Sequence, residues 1–395
     1  MSLRHLWSLD PAVTYLNHGS YGATPTAVLD FQAQLRARIE RQPVQFLSRD
    51  LPALLENARA VVAEFVGAES PDIAFVPNPT TAVNTVLRSL HFAPGDELLA
   101  TDHTYNACRN ALEATATRDG AHVVIARVPF PLAHEDEVID AVLSHVTSRT
   151  RFALLDHITS PTALVFPIER LVRQLSARGV DTLVDGAHTP GMVEIDLRKL
   201  DPAYFTGAGH KWLCSPKGAS FLYVRRDLQE RVRPLVIGHG ANAVLNGRTR
   251  FEAEFAWTGT NDPTAYLSLA ESIRYVGSLL PGGWPQIWAA NREKALVGRR
   301  LLCDRMAIEP LCPESMVGSI ASISLPGQGI GNPDPTVFGD PLQATLLERH
   351  NIEVPVFAWG DPPQRLLRIS AQLYNEAEDY ERLADALAME ASTNS

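Results

Sequence analysis

Cysteine is scarce in this chain of 395 residues: there are only four, and no two of them form a CxxC pair. A disulfide framework or a cysteine-rich zinc site is therefore not expected. No run approaches 18 consecutive apolar residues, and the stretch before Gly19 has no apolar core of the length that a signal peptide needs. We expect a cytoplasmic protein with no membrane segment and no metal site.

Positive charge is also in short supply, because 35 basic residues stand against 45 acidic ones and the net charge is −10. No basic cluster stands out, so neither nucleic acid nor an anionic membrane is expected as a partner. The hydrophobic share of 45% is ordinary for a globular protein and is enough to build a large core.

Short apolar runs alternate with helical patterns from about residue 70 onward. Strands are predicted at 73–76, 97–101, 122–128, 151–158, 181–185 and 220–224. Amphipathic helical patterns fill the intervals, which is typical of a mostly parallel sheet covered by helices on both faces. The predicted fold class is therefore α/β, and ligands in such folds bind at the carboxyl ends of the strands.

Helical patterns also flank this region on both sides. A first helix is predicted over 27–42, with Thr24 as its N-cap and Pro25 at the first helical position. Beyond about residue 265, long helical patterns introduce a smaller α+β segment with a Gly/Pro-rich loop at 326–341. We divide the chain into an N-terminal segment (1–49), a large α/β domain (50–265) and a small C-terminal α+β domain (266–395).

The residues that flank Lys211 in the sequence are unusual neighbours for a charged side chain. The stretch GAGHKWLCSPKGASFLYV, 207–224, places it between a histidine and a tryptophan, ahead of an apolar strand. Asp185 ends an earlier strand, His188 follows it, and Lys211 comes 26 residues after Asp185. This order suits pyridoxal phosphate, because a lysine forms the Schiff base and a carboxylate keeps the pyridine nitrogen protonated. An ordinary ion pair between Asp185 and Lys211 is the alternative.

The predicted strand over 151–158 also ends in polar residues. Asp156 and His157 lie at its end, and Thr159 and Ser160 follow directly. Such residues make a poor core, but they stand at the edge of the sheet where ligands bind.

A phosphate cradle is predicted in VPNPTTAVNTVLRSL, 76–90, where a strand turns into a helix that Thr80 or Thr81 would cap. Backbone N–H groups at a helix N-terminus and threonine hydroxyls suit a dianion. A plain N-cap would explain one of the threonines, but not the pair of them beside Asn78.

Three further places carry side chains that suit a cofactor or a substrate. Tyr105 follows a strand and offers a ring to stack on a flat cofactor, although a surface tyrosine explains it equally well. Arg368 stands in Leu-Leu-Arg-Ile-Ser, which a clamp on a carboxylate would explain, as would a structural ion pair. Thr258 and Thr260 lie in a turn before a helix, where a helix cap explains the local sequence as well as a ligand does.

The motifs TYLNHGSYG, NPTTAVN, DHTYNA, DGAHTPG, GHKW, WTGT and RISAQLYN occur in this order. Together they resemble the class V aminotransferase group of fold-type I pyridoxal-phosphate enzymes, and most of all its isopenicillin N epimerase-like branch. Each motif is weak alone, but the resemblance spans about residues 14–385. It implies a mostly parallel seven-stranded sheet between helices, a smaller α+β domain, pyridoxal phosphate as cofactor and an amino-acid substrate.

By this resemblance each candidate residue takes a role. Lys211 carries the cofactor and later takes the Cα proton, Asp185 partners the pyridine nitrogen, and Tyr105 stacks on the ring. His188 contacts the ring hydroxyl, and the phosphate is bound by Thr80, Thr81 and His210. In a homodimer, the phosphate of the neighbouring subunit is reached by Thr258 and Thr260. Arg368 binds the substrate carboxylate, and the substrate entrance is lined by Asn17, His18 and Tyr21.

The sequence indicates the cofactor more clearly than it indicates the type of reaction. Epimerisation, transamination and β-elimination all remove the Cα proton, but epimerisation also needs a second acid or base. Tyr105, His18 and Tyr21 are the candidates for that group. Cysteine desulfurases of this class carry a nucleophilic cysteine shortly before the carboxylate-binding arginine. Here the last cysteine, Cys312, lies 56 residues before Arg368, so a persulfide-forming desulfurase is not expected.

Three functions remain open. The first is an epimerase or racemase acting at Cα of an amino acid or an amino-acid-containing metabolite. The second is a C–S β-lyase or deaminating enzyme on an S-conjugated cysteine in specialised metabolism. The third is a catalytically silent member of the fold that only binds a ligand, and the retention of both Asp185 and Lys211 weighs against it.

Overall fold

The computed structural model describes residues 3–328 and 339–393. Most of the Gly/Pro-rich loop predicted at 326–341 lies outside the described residues. Within the described ranges, no helix is long and apolar enough to cross a membrane.

Helices alternate with strands through most of the chain. The helices are α1 (Thr26–Arg41), α2 (Pro43–Gln45), α3 (Leu51–Phe65), α4 (Pro79–Ser89), α5 (Asn106–Asp119), α6 (Asp136–Leu143), α7 (Ile168–Ser176), α8 (Leu197–Leu200), α9 (Arg250–Phe255), α10 (Thr264–Gly277), α11 (Gly283–Met306), α12 (Pro341–His350) and α13 (Ala377–Thr393).

The strands are short, as the sequence predicts. They are β1 (Thr14–Tyr15), β2 (Ile73–Val76), β3 (Glu97–Thr101), β4 (His122–Ala126), β5 (Thr150–Asp156), β6 (Asp181–Gly186), β7 (Tyr204–Ala208), β8 (Ser220–Val224), β9 (Ile320–Gln328), β10 (Ile352–Glu353), β11 (Val356–Trp359) and β12 (Gln364–Ser370). Strands β4 and β5 each end two residues earlier than the apolar pattern predicts.

A seven-stranded sheet forms the centre of the molecule, in the order β2-β8-β7-β6-β5-β3-β4. Strand β8 runs antiparallel to both of its neighbours, and the remaining pairs are parallel. Helices cover both faces, so the central strands are buried on both sides and read as nearly continuous apolar runs. The predicted α/β class with a mostly parallel sheet is confirmed.

Strand β7 is the one strand of this sheet that the sequence patterns missed. Its second half, Thr206 to Ala208, is small and includes a glycine, which strands usually disfavour. The packing explains the exception. A Cβ on Gly207 would lie 2.6 Å from the ring of Phe221, and one on Gly186 in β6 would lie 2.1 Å from the ring of Phe205. The small residues therefore make room for aromatic rings between adjacent strands.

Two smaller sheets join the two ends of the chain. Strands β11, β12 and β9 form an antiparallel sheet, and β1 pairs in parallel with β10. The N-terminal segment then crosses to the large sheet, where a Cβ on Gly22 would lie 2.6 Å from the carbonyl oxygen of Lys211. Only glycine permits this approach, so the N-terminal segment lies directly against the backbone of the lysine.

Two of the predicted helix caps are wrong. Pro25 is itself the N-cap of α1, and the hydroxyl of Thr24 donates instead to the carbonyl of Ser215 at 3.0 Å. Asn78, and neither Thr80 nor Thr81, caps α4, because its side chain accepts from the backbone N–H of Thr81. Asn78 stands one position before Pro79, which takes the first helical position, so the asparagine lies where a cap belongs.

Candidate active site

A cavity opens at the carboxyl ends of the parallel strands, with an empty volume of about 770 Å³ that includes its open mouth. Of the candidate residues, Tyr21, Thr80, Tyr105, Asp185, His188, His210 and Lys211 line it. The other candidates, Asn17, His18, Thr81, Thr258, Thr260 and Arg368, do not. Residues from six separate stretches of the chain thus meet at the edge of the sheet where ligands bind in this class of fold.

Lys211 lies on the loop that follows β7. Its Nζ is 3.0 Å from Nε2 of His188. Burial, together with the positive charge of Arg368, lowers the pKa of Lys211 to about 8, although Asp185 acts in the opposite direction. About a tenth of the amine is therefore uncharged at pH 7. The uncharged amine is the form that attacks a carbonyl or accepts a proton.

Asp185 lies near the end of β6 and has two donors. Its Oδ1 accepts from the backbone N–H of Ala187 at 3.0 Å, and its Oδ2 accepts from the thiol of Cys108 at 3.2 Å. Burial and the nearby carboxylates raise the pKa of Cys108 well above 9.0, so the thiol keeps its proton. The sequence patterns missed Cys108, although it follows Tyr105 by three positions on α5 and therefore shares its face.

Asp156 is a second carboxyl group beside Asp185. The two residues are direct partners in the register of β5 and β6. Asp156 is 3% exposed; one of its oxygens accepts from the backbone N–H of Tyr105 at 3.3 Å, and the other has no partner. Burial and the charge of Asp185 raise the pKa of Asp156 well above 3.8. Burial beside a second carboxyl group therefore favours the protonated form of Asp156, which lines the cavity.

The N-terminus of α4 and His210 both line the cavity. The side-chain oxygen of Asn78 accepts hydrogen bonds from both the N–H and the hydroxyl of Thr81, at 2.8 and 3.0 Å. Thr80 is not part of this cap and lines the cavity. Nδ1 of His210 is buried without a partner, and burial lowers the pKa of His210 to about 4. A helix N-terminus beside an unused imidazole nitrogen fits a phosphate group.

Arg368 lies behind the cavity wall and is 1% exposed. Its guanidinium donates to the carbonyl and hydroxyl of Ser160, at 2.7 and 3.0 Å, and to the hydroxyl of Ser20 at 2.8 Å. No ion pair joins it to a carboxylate of the described residues, and its Nε has no partner. Burial lowers the pKa of Arg368 to about 10. A buried cation bonded only to neutral oxygens fits an anionic ligand.

The N-terminal candidates divide into two groups. Tyr21 is 56% exposed and lines the cavity, as expected of an entrance residue. His18 is fully buried, with its Nε2 3.0 Å from the carbonyl oxygen of Lys211 and its Nδ1 2.8 Å from the hydroxyl of Tyr374. Asn17 is also buried and donates to Glu353 at 2.9 Å. The structure therefore places His18 behind Lys211 rather than at the entrance.

Thr258 and Thr260 lie away from the cavity. Thr258 lines a second and larger cleft, whose walls include the apolar side chains of Leu47, Leu51 and Phe75. Thr260 is exposed beside it. In this single chain, neither threonine contributes to the cavity that contains Lys211.

The arrangement as a whole fits pyridoxal phosphate. The cavity has an amine of lowered pKa, a buried carboxylate, an unpartnered imidazole nitrogen beside a helix N-terminus, and the ring of Tyr105 on its wall. Each of these features matches one functional group of the cofactor: the aldehyde, the pyridine nitrogen, the phosphate and the flat ring.

Comparison with known proteins gives consistent matches over nearly the whole chain. The family model of class V aminotransferases matches residues 23–383. Isopenicillin N epimerase from Amycolatopsis lactamdurans is 36% identical over 394 residues, covering 96% of both chains. A probable chloroplastic L-cysteine desulfhydrase from Arabidopsis thaliana is 32% identical, covering 96% of this chain and 83% of the relative.

Among solved structures, a variant of C-DES with glycine covalently linked to its pyridoxal-phosphate cofactor has a TM-score of 0.82. It is 21% identical and covers 98% of this chain and 99% of its own. This likeness shows that the two proteins share a fold.

Replacing Asp156 by asparagine is expected to change the pH dependence of the stability of the apoprotein. Because the pKa of Asp156 is raised above 3.8, the folded state keeps a proton that the unfolded state releases as the pH rises. Relative to Asp156→Asn, the wild type should lose about 1.4 kcal/mol of unfolding free energy for each unit by which the pH rises between the pKa of the unfolded state and that of the folded state. Asp156→Asn should not lose it, and urea denaturation at several pH values between about 4 and 8 measures the difference.

Asp119→Asn is a control of opposite sign. Hydrogen bonds from Arg118 lower the pKa of Asp119 to about 2, so its contribution is complete at neutral pH and is lost only under strong acid. The difference between Asp119→Asn and the wild type should therefore stay constant above about pH 5. A constant difference for Asp156→Asn as well would contradict a neutral Asp156.

Proposed function

The chain belongs to the class V aminotransferase family, and from that premise we propose that it is a pyridoxal-phosphate enzyme that breaks a bond at Cα of an amino acid. The observation that carries this proposal is the cavity itself. It brings the amine of Lys211 and the carboxylate of Asp185 to one place, with the guanidinium of Arg368 directly behind its wall.

Each part of the cofactor has a matching group in the proposed site. Lys211 holds the aldehyde carbon, Asp185 the pyridine nitrogen, and Tyr105 the face of the ring. Thr80 and His210 hold the phosphate, and Thr81 stabilises the turn through its hydrogen bonds to Asn78. His188 faces the ring hydroxyl. When bound, pyridoxal phosphate supplies a ring that accepts the electron pair left on Cα when one of its bonds breaks.

Arg368 and Lys211 divide the work on the substrate. The guanidinium donates to the substrate carboxylate from a buried position, which orients Cα. Nζ of Lys211 then takes the Cα proton, because a pKa of about 8 leaves a useful share of free amine at neutral pH.

Epimerisation is the first candidate reaction, and the relative from Amycolatopsis lactamdurans supports it. This reaction needs a proton donor on the face of Cα opposite Lys211. Burial raises the pKa of Tyr105, so its hydroxyl holds a proton at neutral pH, and Tyr21 lies at the mouth. His18 drops out as a donor, because it is buried behind the lysine backbone.

C–S β-elimination from an S-conjugated cysteine is the second candidate, which the desulfhydrase relative supports. Among the four cysteines, Cys108 alone lines the cavity, and its protonated thiol is engaged by Asp185. No thiolate is therefore poised to receive sulfur from a substrate. A lyase built on this site would release its sulfur product directly, using Lys211 and the leaving group alone.

We also propose a homodimer with shared active sites in the cytoplasm. Apolar side chains line part of the cleft around Thr258, and Leu235, Val236, Ile237 and Val244 are exposed to solvent in this chain. A second copy of the chain would cover this surface and bring Thr258 and Thr260 to the phosphate of the neighbouring site. Four unpaired cysteines support a reducing compartment.

Lys211→Ala is expected to abolish covalent cofactor binding. Wild-type protein incubated with pyridoxal phosphate should become yellow, and borohydride reduction should leave the cofactor mass on the peptide that contains Lys211. Lys217→Ala is the matched control, since Lys217 donates to the carbonyl of Gly22 at 2.7 Å and does not line the cavity. A colourless wild type, or a Lys211→Ala variant in which borohydride still fixes the cofactor to the protein, would refute the proposed function.

Incubation with candidate substrates in deuterium oxide separates the reactions. An epimerase is expected to exchange the Cα hydrogen and invert the amino acid without releasing keto acid or ammonia. A lyase is expected to release a thiol together with keto acid and ammonia. Proton NMR of the mixture measures all of these products. Absence of exchange across a panel of amino acids and cysteine conjugates would instead support a binding protein.

Subunit complementation tests the shared sites. Lys211→Ala and Thr258→Glu homodimers should each lack functional sites, the second because the glutamate repels the partner's phosphate. After subunits are exchanged, each mixed dimer regains one intact site, so roughly a quarter of the wild-type sites should return. Cofactor absorbance measures the recovery. A monomer in solution, or no recovery despite subunit exchange, would contradict the shared site.

A further inference from the structure

Trp212 follows the cofactor lysine directly and is completely buried. Its indole N–H donates to Nδ1 of His188 at 3.2 Å. The other nitrogen of the same imidazole, Nε2, is 3.0 Å from Nζ of Lys211. The three side chains thus form a continuous chain of hydrogen bonds that leads from the core of the protein to the reactive amine.

The hydrogen-bond donors around His188 determine which nitrogen of its imidazole carries the proton. An indole nitrogen can only donate, so Nδ1 of His188 must present a lone pair. This requirement excludes the doubly protonated ring, and it excludes the tautomer with a hydrogen on Nδ1. The remaining form is the neutral ring with its hydrogen on Nε2, directed at Lys211.

The same donor count shows which state of the lysine this contact favours. An ammonium group carries three donors and no acceptor, so it cannot accept the hydrogen from Nε2. An uncharged amine has the lone pair that this contact needs. We propose that Trp212 is a positioning residue that locks His188 as the Nε2–H tautomer and thereby favours the free amine of Lys211 over the ammonium form.

The surroundings of Trp212 keep the indole in place. Its ring packs in an apolar cluster with Ile158, Met192 and Ile320, and against the ring of His18 at 5.0 Å. A Cβ on Gly191 would lie 2.5 Å from the carbonyl of Trp212, so the backbone is enclosed as well. The indole therefore has no freedom to follow His188 if the imidazole were to turn.

The charges around Lys211 do not supply this selection by themselves. The groups that face the amine are Arg368 on β12, Asp185 on β6, Asp156 on β5, Cys108 on α5, and His188 and His210 on loops. Cations and carboxylates both occur in this set, so their fields oppose each other. The hydrogen bonds from Trp212 to His188 and from His188 to Lys211 stabilise the uncharged amine.

The inference rests on the proposed function for the purpose of the amine, but the hydrogen-bond chain exists without the cofactor. Its test therefore uses the apoprotein. Histidine ¹⁵N spectra report the tautomer, with His188→Gln used to assign the signals. The chain has only four lysines, Lys199, Lys211, Lys217 and Lys294, so ¹³Cε labelling of lysine resolves the titration of Lys211.

In the wild type, His188 should remain the neutral Nε2–H tautomer from about pH 6 to 9. In Trp212→Phe, the other tautomer becomes accessible, and Nε2 can accept from a charged Lys211. The pKa of Lys211 should then rise by about 1 to 2 units, the value of one hydrogen bond to a charged group. Trp284→Phe is the matched control, because that indole donates to the carbonyl of Ile273, outside the cavity.

An unchanged pKa of Lys211 in Trp212→Phe would overturn the inference, as would an equal rise in Trp284→Phe. If Trp212→Phe does not fold, the wild-type spectrum decides alone, and a hydrogen on Nδ1 of His188 refutes the inference. Failure of the wild type to take up pyridoxal phosphate would instead refute the proposed function, while the tautomer result would still stand.

Discussion

A cationic side chain that is taken out of water must find hydrogen-bond acceptors that replace the water or give up its proton. Lys211 and Arg368 both meet this condition at the same cavity, and they resolve it differently. Arg368 keeps its charge, bonded to neutral oxygens of Ser20 and Ser160. Its field adds to burial in lowering the pKa of Lys211 to about 8. The guanidinium that we propose as the partner of the substrate carboxylate thus also lowers the pKa of the amine.

This coupling has a direction that suits a catalytic cycle. A substrate carboxylate bound to Arg368 cancels part of the positive field on Lys211. The lysine then becomes a stronger base at the stage when a Cα proton must be taken. One electrostatic pair can therefore favour the free amine before substrate binds and proton uptake after it has bound.

Much of this architecture could be predicted from the sequence because parallel strands have a simple signal. Apolar runs that end in polar residues located Asp185 and Asp156 at the correct edge of the sheet. Strand β7 was missed because Gly207 gives space to the ring of Phe221, a demand that comes from the neighbouring strand and not from local propensity. The same limit applies to helix α4, where Asn78 takes the cap that the threonines were expected to provide.

The partners of the site residues were harder to foresee than the residues themselves. Cys108 and Trp212 look like ordinary core residues in the sequence, because nothing local indicates that a thiol will meet Asp185 or that an indole will meet His188. His18 shows the reverse case. Its motif suggested an entrance residue, but the Gly22 backbone lies so close to Lys211 that the histidine is enclosed behind it.

The type of reaction depends on where the protons are. Lys211 can serve either epimerisation or elimination, since both begin by removing the same Cα proton. The two reactions differ in their second step: a donor on the opposite face returns a proton, whereas a leaving group on Cβ departs. Tyr105 keeps its proton at neutral pH, and Cys108 is engaged by Asp185 and cannot receive sulfur. The walls of this cavity therefore permit both outcomes, and the side chain of the substrate selects between them.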